Sequence, residues 1–152
     1  MLTKSIAAAG LAAVLTLGAC AGQTASTTAA APAAASAVLD AALADSANVT
    51  ARGTFEGKSN HITTGHGSIG WVDGTWVVIL ESDFTFDGAP DPHVALGANG
   101  YRKDASLALL SSNDGKQVYA IPASLDVADF NEIWIWCDKF AVPLGVAKLT
   151  LT

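Results

Sequence analysis

An all-β domain, an antiparallel β-sandwich or barrel-like sheet, is what the sequence predicts for residues 48–152, behind a signal peptide over 1–19 and an alanine-rich tether over 20–47. Three observations predict it. After Thr50, short runs of Val, Ile, Leu and aromatic residues are separated by Gly, Asn, Asp and Pro, the punctuation of successive strands. Asp73-Gly74 divides two apolar runs, a hairpin signal because a type I′ turn needs positive φ at both central residues. Beyond Thr50 no apolar pattern keeps helical spacing for more than two turns.

The N-terminal elements read as targeting rather than fold. Lys4 supplies a short positive region, Ile6 to Leu17 an apolar stretch, and Leu17-Gly18-Ala19-Cys20 a small-residue processing site that resembles a bacterial lipobox. That resemblance implies that Cys20 becomes the lipidated first residue, its palmitate-type acyl chains supplying the membrane affinity. The apolar run is too short for a spanning helix, which needs roughly 20 residues. Ala21 in place of Asp after the cysteine implies, by the same analogy, an outer-membrane lipoprotein facing the periplasm of the cell envelope. Ala21 to Ala37 holds almost nothing that fills a core and reads as a flexible tether. Val38, Leu39, Ala42 and Leu43 recur at helical spacing, predicting a short helix over Val38 to Ala47.

The strands expected in the domain are Ala51–Glu56, Gly67–Val72, Thr75–Phe84, His93–Leu96, Leu107–Leu110, Gln117–Ile121, Glu132–Cys137 and Val146–Thr152. Trp76-Val77-Val78-Ile79-Leu80 is apolar on both faces, so a central strand is expected there, and Asn113-Asp114-Gly115 reads as a turn. Net charge is −6, or −7 once a leader holding Lys4 is removed, with no basic run, so nucleic acid is not an expected partner.

The order of motifs resembles the DM-thirteen electron-transfer domain: Gly53-Thr54-Phe55 with His61, Asp83-Phe84, Ala89-Pro90-Asp91-Pro92-His93-Val94, Gln117-Val118-Tyr119-Ala120-Ile121-Pro122, and Ile133-Trp134-Ile135-Trp136-Cys137 before Phe140 and Gly145 to Leu149. The resemblance implies a β-sandwich and a redox role for Cys137, as a free thiol or through a prosthetic group such as haem. The chain departs from the commoner Gly-Pro-Asp-Leu-His-Val pattern with Gly-Ala-Pro-Asp-Pro-His-Val, and has Ala95 where tyrosine is frequent.

With Cys20 lipidated, Cys137 is the single cysteine of the domain, and no intramolecular disulfide forms. Ile133, Ile135 and Cys137 share one strand face by period-2 alternation, which admits a packed thiol; a working thiol requires partial exposure and a nearby positive charge, for which Lys139 is closest in sequence. Trp134 and Trp136 fall on the opposite face, to pack or to line a planar ligand. The candidate ligand-binding residues are His61, Asp91, His93 and Trp136. A copper centre drawing on His61, His66 or His93 with Cys137 is chemically open, as are haem and zinc, but no attachment or spacing motif supports any of them. The acidic Glu81, Asp83, Asp87 and Asp91 match neither an EF-hand nor an acid–base pair, Gly65 to Gly70 opens no helix as a phosphate loop must, and no nucleophile elbow is present. Without a complete catalytic constellation the chain reads as an accessory of envelope redox chemistry centred on Cys137, working with an envelope redox partner, or alternatively as a non-enzymatic module binding a small ligand or another protein.

Overall fold

The computed structural model describes residues 38–152; the expected signal peptide, Cys20 and most of the tether lie outside the described residues. Twelve strands follow in chain order: β1 (Val38–Leu39), β2 (Asn48–Gly57), β3 (Thr63–Thr64), β4 (His66–Val72), β5 (Thr75–Leu80), β6 (Thr85–Phe86), β7 (Pro92–Gly97), β8 (Tyr101–Leu109), β9 (Gln117–Ala120), β10 (Glu132–Cys137), β11 (Val142–Lys148) and β12 (Thr150–Leu151). Among the described residues only two short 3-10 helices interrupt them, Ala41–Ser46 and Val127–Asp129. The main sheet is antiparallel in the order β1-β9-β5-β4-β2-β11-β10-β7-β8, with β12 added beside β2. Its turning point is β2, which pairs with β4 from Asn48 to Thr54 and then with β11 from Phe55 to Gly57. The long strand thereby passes from one leaf to the other, and the sheet curls into a nearly closed barrel.

Alternation decides what fills the barrel. Phe55, Ile69, Val78, Leu80, Phe84, Leu96, Tyr119, Ile133, Ile135 and Leu144 point inward and are buried. β5 is apolar on both faces for the reason its sequence suggests: Val78 and Leu80 enter the main core, while Val77 and Ile79 join Val72 and Val118 in a second cluster outside it. Leu39, Leu43, Ala44 and Ala47 cover that outer cluster. The expected helix over Val38 to Ala47 is therefore present only as a 3-10 turn, N-capped by Asp40 Oδ1 accepting from the Ala42 N–H at 2.9 Å, while Val38–Leu39 pairs with β9. Residues 38–47, at the end of the segment read as tether, belong to the domain. At the β4–β5 hairpin, Asp73 and Gly74 have φ of 48° and 81°, as a type I′ turn requires.

Strand boundaries differ from the sequence reading at several places, β2 beginning at Asn48 rather than Ala51 and β11 at Val142 rather than Val146, and three differences have a visible cause. β5 ends at Leu80, because the chain turns at Glu81 with the Phe84 N–H donating to its carbonyl at 3.0 Å, which drops Phe84 into the core. β8 begins at Tyr101 rather than Leu107; it is an edge strand, and Arg102, Lys103 and Asp104 on it break any apolar alternation. The last expected strand is two, since Leu149 leaves the ladder to donate its N–H to Asn131. At the loop that joins β8 to β9, the buried Gln117 side chain accepts from Ser111 Oγ at 2.8 Å and from Tyr119 Oη at 2.6 Å. Its amide donates to the Ser112 carbonyl at 2.9 Å, so one buried side chain holds the loop.

Ile133 is fully buried between the leaves, so Ile133→Ala is expected to lower unfolding free energy by about 2–5 kcal/mol. Equilibrium urea unfolding checks this, with an unchanged m-value marking the loss as packing.

Candidate functional site

β10 runs between β7 and β11, with Trp136 opposite His93 and Cys137 opposite Pro92. Pairing on both sides fixes its alternation: Ile133, Ile135 and Cys137 point into the core, Trp134 and Trp136 out of it. Cys137 is 1% exposed, and its thiol donates to the Pro90 carbonyl at 2.9 Å. That carbonyl belongs to a strap, residues 87–91, which links β6 to β7 without pairing in either sheet. Gly88 at φ 94° and Asp91 at φ 61° turn the strap over the sulfur, Asp91 in the left-handed region where a short polar side chain is tolerated.

Side chains and a few backbone bonds pin the strap. At its start the Asp87 N–H donates to the Ile62 carbonyl at 3.0 Å, and His61 Nδ1 lies 2.9 Å from Asp87 Oδ1. A backbone hydrogen bond from Ile62, and after it the His61 imidazole, hold the Asp87 carboxyl below the usual carboxylate range. At its end the Asp138 N–H donates to the Asp91 carbonyl at 3.1 Å, and His93 Nε2 stands 3.1 Å from Asp91 Oδ1 and 3.9 Å from Asp138 Oδ2. The sequence candidates Cys137, Asp91, His93 and Trp136 thus share one end of the barrel. His61 is not beside the sulfur but clasps the far end of the strap.

Outside that end, Trp136 stacks on Tyr101, with ring centroids 4.0 Å apart and planes 3° from parallel. Trp134 meets Trp136 edge-on at 6.4 Å and donates its indole N–H to Glu132 at 3.0 Å. Its ring lies where a Cβ on Gly97 would stand, 2.3 Å from the indole nitrogen, so only glycine fits beneath it. Tyr101 Oη lies 3.4 Å from Asp138 Oδ1. Burial first, and then the neighbouring Asp138 charge, push the Tyr101 phenol up to about 12, against a smaller lowering by Ser106. Neither Tyr101 nor Asp138 stood out in the sequence, because their meeting depends on how β8 bulges against β7 between Ala95 and Gly97.

Other sequence candidates are dispersed. His66 Nδ1 lies 2.6 Å from Asp83 Oδ2, which holds the Asp83 carboxyl low, and Glu81 accepts from Ser68 Oγ. Among the described residues no three His, Cys, Asp or Glu side chains converge as a metal-ligand set. Haem or copper on Cys137 needs an open position at the sulfur; the sealed, carbonyl-bonded thiol does not fit either group. Lys139 packs its ammonium 5.6 Å from the Phe140 ring centroid, so the partner of the thiol is a neutral carbonyl, not a cation. Beside the β4–β5 hairpin a cavity of about 630 Å³ is lined by Trp71, Trp76, Ile121, Pro122, Leu125 and Val127, with Trp71 42% exposed.

Both tyrosines of the chain are raised, Tyr119 by its burial. A spectrophotometric titration of the native protein is expected to show less tyrosinate at pH 10 than exposed phenols would, which are half ionised there, and a Tyr101 midpoint about 12 that disappears in Tyr101→Phe. Because the folded pKa lies above the unfolded one, this stabilisation is complete below pH 10 and is lost as pH climbs towards 12.

A family model described as electron transfer DM13 matches residues 54–149, more than half of the chain and every strand from β3 to β11. No curated protein and no solved structure matches the chain.

Proposed function

This chain belongs to the electron transfer DM13 family, and from that premise we propose that it is a lipid-anchored accessory of envelope electron transfer whose Cys137 is a gated thiol. The observation that carries the reading is the hydrogen bond from the Cys137 thiol to the Pro90 carbonyl of the strap at 2.9 Å. Closed, the strap keeps the sulfur from solvent; opened, it leaves the sulfur at the rim of the barrel. The strap has no ladder of its own, so its opening breaks a few hydrogen bonds rather than a sheet, the kind of local event that native proteins undergo far below global unfolding.

The partner implied is an exported protein carrying a disulfide. The released Cys137 thiolate attacks one partner sulfur, a new S–S bond forms as the partner's bond breaks, and the departing partner thiolate takes up the proton that Cys137 gave up. Cys137 is oxidised and the partner reduced at one sulfur; a second partner thiol reverses the step. The anchor on Cys20 and the residues after it would hold the domain near an envelope membrane, with the outer membrane and a periplasm-facing position the favoured address.

The aromatic cavity beside the β4–β5 hairpin, lined by no residue of β10, favours a second reading, a module that binds a small ligand or another envelope protein independently of the thiol. One experiment divides the two. Under native conditions an uncharged thiol reagent is expected to label Cys137 slowly, with weak dependence on urea, and His93→Ala, which frees Asp91, to speed labelling about tenfold, the equivalent of one hydrogen bond to a charged group. Labelling that follows global unfolding, with its full urea dependence and no response to His93→Ala, sinks the gated thiol and leaves the binding module. For the anchor, Cys20→Ser in an export-competent bacterium is expected to move the protein from the membrane to the soluble fraction and to remove the acyl mass from its N-terminal peptide.

A further inference from the structure

We propose that Tyr101, stacked on Trp136 and facing Asp138, is a one-electron redox site in its own right, a proton-coupled port on the outer face of the barrel. The inference goes beyond the gated thiol and does not need it. Three features found together on this face carry it. The Tyr101 and Trp136 rings are 4.0 Å apart and 3° from parallel, so positive charge created on one is shared with the other's π-system. The phenol oxygen lies 3.4 Å from Asp138 Oδ1, a long hydrogen bond of the kind that tightens when a proton begins to move. Both rings are half-buried, screened from bulk water yet within contact distance of a docked protein.

The chemistry balances with one named co-reactant, an oxidised haem or copper centre of a partner protein. One electron leaves the Tyr101–Trp136 pair and reduces that metal by one unit. The Tyr101 O–H bond breaks, its proton passes to the Asp138 carboxylate, and a neutral phenoxyl radical remains against the indole. Return of an electron from a donor draws the proton back from Asp138. Removing the proton in the same event matters because an oxidised phenol that keeps its proton is a strong acid, and the neutral phenol persists to high pH at this position. His93 Nε2, 3.9 Å from Asp138 Oδ2, places a further proton-exchanging group behind the acceptor.

Tyr119, the only other tyrosine, is the internal control: it is fully buried and its hydroxyl bonds to Gln117 and Ser111, with no carboxylate. The test is to mix the purified full-length protein with hexachloroiridate(IV), a one-electron outer-sphere oxidant, following phenoxyl absorption by stopped flow and the radical by paramagnetic resonance. Wild type is expected to yield a neutral tyrosyl radical. Tyr101→Phe, which keeps the ring and its stack, is expected to lose it although Tyr119 remains. Asp138→Asn is expected to form the radical about a hundredfold more slowly, the scale of a lost general base. A protein that gives no tyrosyl radical, or gives the same one from Tyr101→Phe, overturns the proposal; an unchanged rate in Asp138→Asn overturns the assignment of the proton acceptor. Thiol labelling without oxidant reports the strap alone, so the fate of the gated thiol is decided separately from that of Tyr101.

Discussion

Everything at the functional end of the barrel depends on the register of β10. A strand paired on both sides cannot slip by one residue without sending its core side chains to solvent and its tryptophans inward, because side chains alternate with a period of two. With Ile133 and Ile135 fixed in the core, Cys137 has to be inside and Trp136 outside. One strand end therefore presents two chemistries to two environments: sulfur facing hydrocarbon and a peptide carbonyl, indole facing a phenol and the surface. The exposed side carries Asp138 and Asp91, which reach water where their charges cost little; the same groups placed beside the sulfur would each need a partner.

The strap explains why these environments can communicate. Most of the chain is held in ladders whose hydrogen bonds break together, but residues 87–91 are held by one thiol, two imidazole–carboxylate pairs and isolated backbone bonds. Such a segment contributes little to the stability of the whole and can open with a small part of the unfolding free energy. The prolines at 90 and 92 limit how many conformations the released strap gains, and so limit the entropy that would favour leaving it open. The fold combines a rigid thiol-bearing strand with a lightly held cover, and the departures from the commoner family pattern, Ala89 and Pro92, fall on that cover and on the first residue of β7 after it.

Much of the fold was legible in the sequence because alternation and turn chemistry are local. Glu132–Cys137 emerged with its boundaries and both faces correct, the Asp73-Gly74 turn as expected, and the doubly apolar β5 as a strand buried on each side. What was not legible depended on distant partners. β1 is a strand only because β9 offers it an edge, and β3 and β6 are two-residue strands that exist by pairing with each other. The site divides in the same way. Asp91 and His93 could be associated by their spacing, but Tyr101 and Asp138, 37 residues apart, meet only after β7 and β8 have paired with a bulge. Lys139 shows the limit of sequence proximity: two residues from Cys137, it does not meet the sulfur but lies over Phe140, since a residue in the turn after a strand points where the turn sends it.

The curled sheet does not quite close, and its two rims differ in a way that bears on crowding. An unpaired strand edge is a template on which a second molecule can add its own strand. One rim is β1, of which two residues are described, and the other, β8, carries Arg102, Lys103 and Asp104, with Arg102 and Asp104 paired to each other. The charges that disguise β8 as a loop in the sequence make a neighbouring copy desolvate three ionic groups before a single ladder bond could form. The residues that hide β8 from a sequence reader thus also make its edge a poor template for a second copy's strand.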